Sequence, residues 1–536
     1  MLQVYDRVVP SRGGMTLLFL TLVLAFALAT LSLLDVVRLR LFVRASMRLD
    51  REIAGAILDA TLARPRNNGE VVTGQAMREF DTLRQTLTGG GLMAMFDAPW
   101  LPIYLIVAFL LNPWLGLLVL IGGGLLAGIA FSNEKATKAR QLRSAEAANY
   151  AYASQAQSVG GADVVRALGM RRAMVTRHLA ERRTAGLLQA EASFATSGYV
   201  AATRFVRLFL QSIALGAGAW LAIDGKLSAG SIFAASFLVA RALAPLEALI
   251  GAWKGLGAAR NAWRALDLLL KGPPVTALTS LPAPQGIIEV DRLVAMRPGR
   301  EGAILQGLSF RVAPGEVVAI VGPSGAGKST LLRTIAGAGG PYNGVIRFDG
   351  AEMSDYDPER LAASIGYLPQ DTVLFAGTVK ENIARFSNYL AEDRELVDEQ
   401  VIAAAKACGV HDMILRFQDG YDTTLALGGK GLSAGQAQGV ALARALFGMP
   451  KILLLDEPNA HLDAEGEARL VESLREQKAR GVSVMIVAHR TGVLGAVDKL
   501  MVMRDGRIEV FGPRDEVLAR LARSQVKAHP AAAERA

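Results

Sequence analysis

The chain has 536 residues, 51% hydrophobic and 20% charged, with 58 Lys and Arg against 49 Asp and Glu. That length excludes a single domain, and a mean hydropathy of +0.30 speaks against a wholly soluble protein. The net charge of +9 sits beside apolar blocks, as in cytosolic loops of membrane proteins, so nucleic acid is not an expected partner.

The opening segment, MLQVYDRVVPSRGG, lacks the basic region and cleavage site of a signal peptide. Residues 15–34 form an unbroken apolar run of membrane-spanning length. The block 92–131 is broken at Asn112-Pro113 and reads as two helices, 92–111 and 114–131, with a tight turn between them. Asp97, Pro99 and Pro102 weaken the first of these. Residues 208–223 and 228–250 form another pair, turning at Asp224-Gly225-Lys226, with Arg241 and Glu247 near the end of the last span.

Between the spans lie Arg-rich segments, 35–90 and 132–207, whose Ala, Leu, Arg and Glu content predicts helical extensions. The two tight turns carry almost no positive charge. The positive-inside rule therefore places 35–90, 132–207 and everything after about residue 252 in the cytosol, and the turns outside. Five spans with a cytosolic C-terminal half put residues 1–14 outside, and a hydrophobic span before Met1 would resolve this odd count. Residues 1–270 are thus expected to be an all-α transmembrane domain.

Segment 271–286 (KGPPVTALTSLPAPQG) reads as a linker. From 287 to 524, apolar strands alternate with helices: IIEV (287–290), VVAIVG, a helix from Lys328, ILLLDE (452–457), VSVMIVA (482–488) and KLMVMRDG (499–506). The pattern predicts an α/β domain with a largely parallel sheet. The tail 525–536 reads as disordered. Cys408 stands alone, so there is no intrachain disulfide and no Cys-based metal site; it reads as a buried small hydrophobe.

Five short sequences in the second half carry the chemistry: GPSGAGKST (322–330), YLPQD (367–371), LSAGQ (432–436), KILLLDEP (451–458) and VAHR (487–490). The first fits the phosphate-binding loop G-x-x-x-x-G-K-[ST], following an apolar strand and opening a helix. Backbone N–H groups from Gly322, Ser324, Gly325, Ala326 and Gly327 onward converge on phosphates, with Pro323, which has no N–H, part of the loop's frame, and the helix N-terminus at Lys328, Ser329 and Thr330 favours their charge. Ser324, like its neighbours, belongs to that cradle. Lys328 is expected to reach the β- and γ-phosphates of ATP, and Ser329 to ligate Mg²⁺. The apolar strand ILLL delivers Asp456 to the magnesium shell, and Glu457 beside it is the expected base for the attacking water.

LSAGQ makes the resemblance specific: the chain resembles the ABC transporter family, whose members place an LSGGQ-like signature just before the acidic strand. The resemblance implies that Gln370 contacts Mg²⁺ and water. It implies that Ser433, Gly435 and Gln436 of one chain face the γ-phosphate of ATP on another. Asp463 in NAHLD matches the loop that crosses the dimer interface, and His489 matches the switch histidine. His178, His411, His461 and His529 are left as structural. Two places depart from the family: 291–303 offers no aromatic residue for adenine, with Arg297 as a substitute, and Leu427 stands where exporters often carry an acidic residue.

A membrane domain followed by an ATPase domain is the layout of half-exporters that work as homodimers. MLQVYDR, DAPWLPIY (97–104), ALGM (167–170) and LDEPNAHLD resemble type I secretion ATPases of the PrtD type, which export RTX proteases, lipases and S-layer proteins. The resemblance implies an inner-membrane, multi-pass protein surrounded by lipid, with its ATPase domain in the cytoplasm. It also implies a periplasmic membrane-fusion adaptor, an outer-membrane duct, and an unfolded cargo with a C-terminal signal. A span precedes MLQVYDR in that group, so a mis-called start codon or a truncated product is expected. The rival readings are a flippase for lipid or small molecules, a soluble ABC ATPase acting on DNA or ribosomes, and a non-transporting scaffold.

Overall fold

The computed structural model describes residues 3–63, 75–225, 228–271, 281–296, 302–391, 393–426, 428–488 and 491–528. The chain divides into two compact units, Met1–Arg64 with Val71–Pro273, and Pro274–Ala536.

The first unit is helical throughout its described residues. Its long elements are α1 (Gly14–Ala63), α2 (Gln75–Thr88), α3 (Gly90–Asp97), α4 (Leu101–Leu111), α5 (Pro113–Gly160), the short α6 (Ala162–Ala167), α7 (Arg171–Ile223) and α8 (Ala229–Leu270). Among the described residues, five stretches are long and apolar enough to cross a membrane: α1, Gly90–Leu111, α5, α7 and Gly230–Trp253. The first four each contain one expected span, Gly230–Trp253 overlaps the expected 228–250, and the Arg-rich segments continue the same helices by many turns.

Local chemistry sets the breaks. Asn112 is extended (φ −163°), and its side chain accepts from Trp114 N, with Pro113 opening α5. This is the preferred cap and first-turn pairing. Pro99 does not end the preceding helix; the run Ala98–Trp100 tightens into one 3₁₀ turn and α4 follows directly. Ser228 caps α8 by accepting from Ser231 N. Of the second turn, Asp224 and Gly225 are described, while Lys226 lies outside the described residues.

The spans pack around Ala108 of α4, Val119 and Leu126 of α5, Leu210 and Ala214 of α7, and Val239, Leu243 and Ile250 of α8. Small residues permit close approach, as expected where lipid gives no hydrophobic drive: a Cβ on Gly218 would lie 3.2 Å from Ile232 Cα. Polar ties join the same helices. Arg207 Nε lies 2.7 Å from Glu247 Oε2, and Ser236 Oγ donates to Gln211 O at 3.3 Å. Beyond the spans, Ile57, Phe80 and Leu266 form a second small core between α1, α2 and α8.

The described residues of the second unit form three sheets. One is six-stranded in the order β12-β11-β3-β10-β9-β6, made of β3 (Val317–Val321), β6 (Ile365–Leu368), β9 (Ile452–Asp456), β10 (Ser483–Val487), β11 (Lys499–Arg504) and β12 (Arg507–Pro513). All its neighbours run parallel except β11 and β12. The second is antiparallel, β2-β1-β4-β5, from β1 (Ile288–Met296), β2 (Ala303–Val312), β4 (Tyr342–Phe348) and β5 (Ala351–Glu352). The third is the small pair β7 (Gly377–Thr378) and β8 (Thr424–Leu425).

The central strands are buried on both faces, so their sequences read as continuous apolar runs. Val317, Ala319, Leu453, Leu455, Val484 and Ile486 point to one core. Val318, Ile320, Ile452, Leu454, Met485 and Val487 point to the other. The expected parallel sheet is therefore present, and the antiparallel sheet is an addition to it.

Two boundaries differ from expectation. The helix Arg514–Ala528 runs four residues into the segment read as disordered, because no helix breaker intervenes before Pro530. Of the expected linker, residues 272–280 lie outside the described residues. The remainder joins the second unit: Pro284 and Gly286 are buried, and Asp349 accepts from the backbone of Gln285 and Ile287.

Candidate active site

The loop between β3 and the helix Lys328–Ile335 is shaped by glycine. Gly322 has φ +153°, and a Cβ there would lie 2.1 Å from Met503 O. Gly327 has φ +96°, and its Cβ would meet Leu305 Cδ2 at 2.8 Å. Only glycine lets the loop turn this closely against its neighbours. Lys328 folds back over the loop, donating to Gly322 O at 2.8 Å and Pro323 O at 3.0 Å. Burial holds the Lys328 ammonium below its ordinary pKa, against the pull of Glu457 and Asp456.

Parallel pairing brings the distant motifs to one sheet edge. β10 lies between β3 and β9, with Val487 beside both Ile320 and Asp456. The loop after β3 and the acid pair ending β9 thus share one end of the sheet, as ligand sites in open α/β sheets do. Ser329 Oγ donates to Gln370 Oε1 at 3.4 Å. A cavity of about 320 Å³ is lined by Ser324, Gly325, Gly327, Lys328, Ser329 and Thr330, together with Ile304, Gln370 and Glu457. No aromatic ring lines it among the described residues, in keeping with the sequence of 291–303; Ile304 supplies its apolar wall.

Asp456 is 2% exposed, and its Oδ1 is buried without a hydrogen-bond partner among the described residues. Burial raises its pKa; the Ser329 hydroxyl opposes this, Glu457 adds to it, and Arg333 and Lys328 counter it more weakly. An oxygen-bearing, electron-rich position left this way fits a hard divalent cation, which takes oxygen ligands. Glu457 has a left-handed backbone, φ +51°. A non-glycine residue in that region costs of order 1–3 kcal/mol and is a mark of functional sites.

The signature residues do not join this cavity. Ser433 caps the helix Ala434–Leu446 in a reciprocal box with Gln436: Gln436 N donates to Ser433 Oγ at 3.3 Å, and Ser433 N to Gln436 Oε1 at 2.9 Å. Gly435 and Asp463 line a different cavity of about 360 Å³, with Gly439 and Arg469. Asp463 caps the helix Ala464–Ala479 by accepting from Gly466 N at 2.8 Å. His489, Leu427 and Arg297 lie outside the described residues.

Two residues absent from the sequence reading hold the site's framework. Gln438, 5% exposed, donates to Glu457 O at 3.1 Å and Pro458 O at 2.7 Å, and accepts from His461 N at 3.0 Å. The second is Arg385, whose guanidinium lies among backbone carbonyls. The pattern LSAGQAQ gave one signal for Gln438, a polar residue on the inward face of an apolar helix. No sequence signal marks Arg385. Two of the four histidines without named partners find them: His178 lies 3.1 Å from Glu181 Oε2 and 2.9 Å from Ser158 Oγ, and His411 lies 2.8 Å from Tyr421 Oη; His529 lies outside the described residues. Cys408 is buried, its thiol pushed up to about 12 by desolvation.

The segments MLQVYDR and DAPW are both tied into the helical unit through their acids. Asp6 accepts from Gly230 N at 2.8 Å and Ser228 Oγ at 2.6 Å at the start of α8, while Tyr5 stacks on Phe233 with ring centres 4.4 Å apart. Asp97 accepts from Arg38 Nη1 at 2.8 Å, joining the end of α3 to α1.

Comparison with known proteins agrees with this geometry. Residues 305–460 match the ABC transporter family model, and residues 3–244 match the ABC transporter transmembrane region. The chain is 41% identical over 531 residues to the type I secretion system ATP-binding protein PrsD of Rhizobium meliloti (strain 1021), covering 98% of this chain and 90% of that protein. It is 30% identical to the exotoxin translocation ATP-binding protein PaxB of Pasteurella aerogenes, covering 96% and 72%. It is 31% identical to the leukotoxin translocation ATP-binding protein LktB of Mannheimia haemolytica, covering 96% and 73%. A bacterial Atm1-family ABC exporter with ATP bound superposes with a TM-score of 0.85 at 26% identity, over 99% of this chain and 95% of that one. The chain is an ATPase carrying its own membrane domain, and it belongs to the ABC transporter family, among the type I secretion ATP-binding proteins.

Proposed function

We propose that two copies of this chain form the inner-membrane engine of a type I secretion system, which hydrolyses ATP to export an unfolded protein with a C-terminal signal. The observation that carries this reading is the likeness to PrsD over nearly the whole of both chains. The cargo would pass to a periplasmic membrane-fusion adaptor and an outer-membrane duct.

Each residue has a distinct task in this mechanism. Backbone N–H groups of Gly322 and of Ser324 to Thr330 cradle the phosphates. Lys328 exchanges the Gly322 and Pro323 carbonyls for phosphate oxygens. Ser329, Gln370 and Asp456 hold Mg²⁺, and the buried, unpartnered Asp456 Oδ1 supports that assignment. When bound, the cation neutralises charge on the β- and γ-phosphates. Glu457 accepts a proton from the attacking water at its carboxylate. Ser433, Gly435 and Gln436 lie away from their own chain's phosphate cavity and cap the γ-phosphate on the partner, with Asp463 at the interface. His489 contacts the same phosphate.

The test is secretion itself. A host lacking this gene should lose export of a protein carrying a C-terminal signal, and the intact gene should restore it while the E457Q gene does not. If purified chain in vesicles instead moves labelled lipid at an ATP-dependent rate and the host's secretion is unaffected, the reading gives way to a flippase.

A further inference from the structure

Arg385 follows the helix Val379–Ile383 in an unusual backbone. It and Phe386 are consecutive left-handed residues, φ +52° and +59°. The turn aims a guanidinium inward, where it meets four carbonyl oxygens and no carboxylate. Nε donates to Arg444 O at 3.1 Å, and Nη1 to Ala362 O at 2.9 Å. Nη2 donates to Ile365 O at 3.3 Å and Ala445 O at 3.1 Å. Burial, with Arg444 nearby, pulls the Arg385 guanidinium down to about 10. A half-buried cation without a counter-ion among the described residues is costly, and a helix end needs far less to satisfy its last carbonyls.

The four acceptors come from three elements. Arg444 and Ala445 are in the last turn of the signature helix Ala434–Leu446, whose first turn is capped by Ser433. Ala362 belongs to the helix Pro358–Ser364, and Ile365 opens β6, which ends at Leu368, two residues before Gln370. The fork geometry of an arginine suits this task, since one planar group can address several acceptors at fixed angles. We infer that Arg385 is a positioning residue of the ATPase cycle, locking the tail of the signature helix to the foot of β6 so that Ser433 and Gln370, at the far ends of these elements, move as one body.

The inference rests on the roles proposed for Ser433 and Gln370. It is tested on the full-length chain in detergent, with R385M, R385K, Q370A and the R385M/Q370A double variant. Steady-state ATPase, binding of a fluorescent ATP analogue and melting temperature are measured on each. R385M is expected to lower kcat by about tenfold while KM and analogue affinity change by less than about twofold, the split that marks a loss confined to the transition state. R385K should recover part of that loss. The double variant should be about as slow as the slower single one, because residues acting as one unit are not additive.

A kcat per folded molecule equal to the parent's, with only the melting temperature lowered, would make Arg385 a plain structural clamp and overturn the inference. Multiplicative losses in the double variant would overturn it as well. Should R385M not fold, R385K carries the test: reduced kcat at parental melting temperature supports the inference, and parental kcat overturns it. Failure of the parental chain itself to hydrolyse ATP would strike the proposed function, an outcome separable from these.

Discussion

The side-chain amide of Gln438 donates to the carbonyl of Glu457 at 3.1 Å, reaching from the signature helix to the turn that carries the expected base. With bonds to Pro458 O and His461 N, all three contacts of this buried amide go to the segment following β9. They hold a backbone whose left-handed turn at Glu457 is unfavourable alone. Replacing Gln438 with Leu keeps the volume and strands the Pro458 carbonyl and the His461 N–H, while the Glu457 carbonyl keeps its bond from Ala460 N. Each buried unsatisfied group costs about 1–3 kcal/mol, so Q438L should be less stable by several kcal/mol and slower in ATP hydrolysis by about tenfold or more. Denaturant unfolding and steady-state ATPase measure both. Parental turnover in Q438L would show that Glu457 holds its place without this amide.

Glu457 and Asp456 should separate cleanly by their variants. E457Q removes the proton acceptor and little else, so hydrolysis should fall by about 100-fold or more with ATP affinity retained. ATP should then hold the chains as a stable dimer, seen by size exclusion in detergent. A parental rate in E457Q would remove Glu457 from the base role.

For Asp456 the prediction concerns pH. Burial raises its folded-state pKa above the ordinary carboxylate value. Below the unfolded value the carboxyl is neutral in both states and carries no penalty. As pH rises through the folded value, the protonated form that the fold prefers is lost, and stability drops. Nucleotide-free D456N should therefore melt above the parent at neutral pH, with the gap closing as pH approaches 4. Added Mg²⁺ should raise the melting temperature of the parent with ATP and not that of D456N. Identical pH profiles for the two proteins would refute the assignment.

The acid of DAPW makes a prediction in the helical unit. Asp97 and Arg38 form an ion pair between α3 and α1, and Asp35 is a weaker second partner for Arg38 at 3.4 Å. D97A should lower the melting temperature of the detergent-solubilised chain and reduce export. The exchange R38D/D97R should recover part of both, since opposite charges remain side by side. Absence of recovery would show that position 97 matters for something other than this pair. Asp6 offers a parallel case: D6A removes the acceptor of Gly230 N and Ser228 Oγ, and loss of such a cap costs about 1 kcal/mol.

Much of the fold could be read residue by residue because its signals are local. Apolar runs of spanning length, Asn112-Pro113 and the glycines of 322–327 each act within a few residues of themselves. The phosphate loop belongs here too, since Gly322 and Gly327 announce their positive φ in their identity. The helix end at Ala528, the antiparallel sheet and the capture of 284–286 by Asp349 were not legible. Each depends on a partner far along the chain, or on the absence of a competing one. Strands of one sheet carry no mark of their neighbours, so β10 falling between β3 and β9 could not be read from the sequence.

The same division runs through the site. The amino-acid order alone marked the residues expected to handle phosphate, because loops, caps and an acid after an apolar strand are defined by short spacings. It also marked MLQVYDR and DAPW as distinctive without saying why. Tertiary structure decided what those segments touch: Asp6 at the start of α8, 224 residues away, and Asp97 on Arg38, 59 residues away. It likewise decided that Gln438 and Arg385 hold the signature helix from two sides. Hydrogen bonds between distant elements leave no periodicity or spacing to read. They exist only once packing has brought the donor to its acceptor.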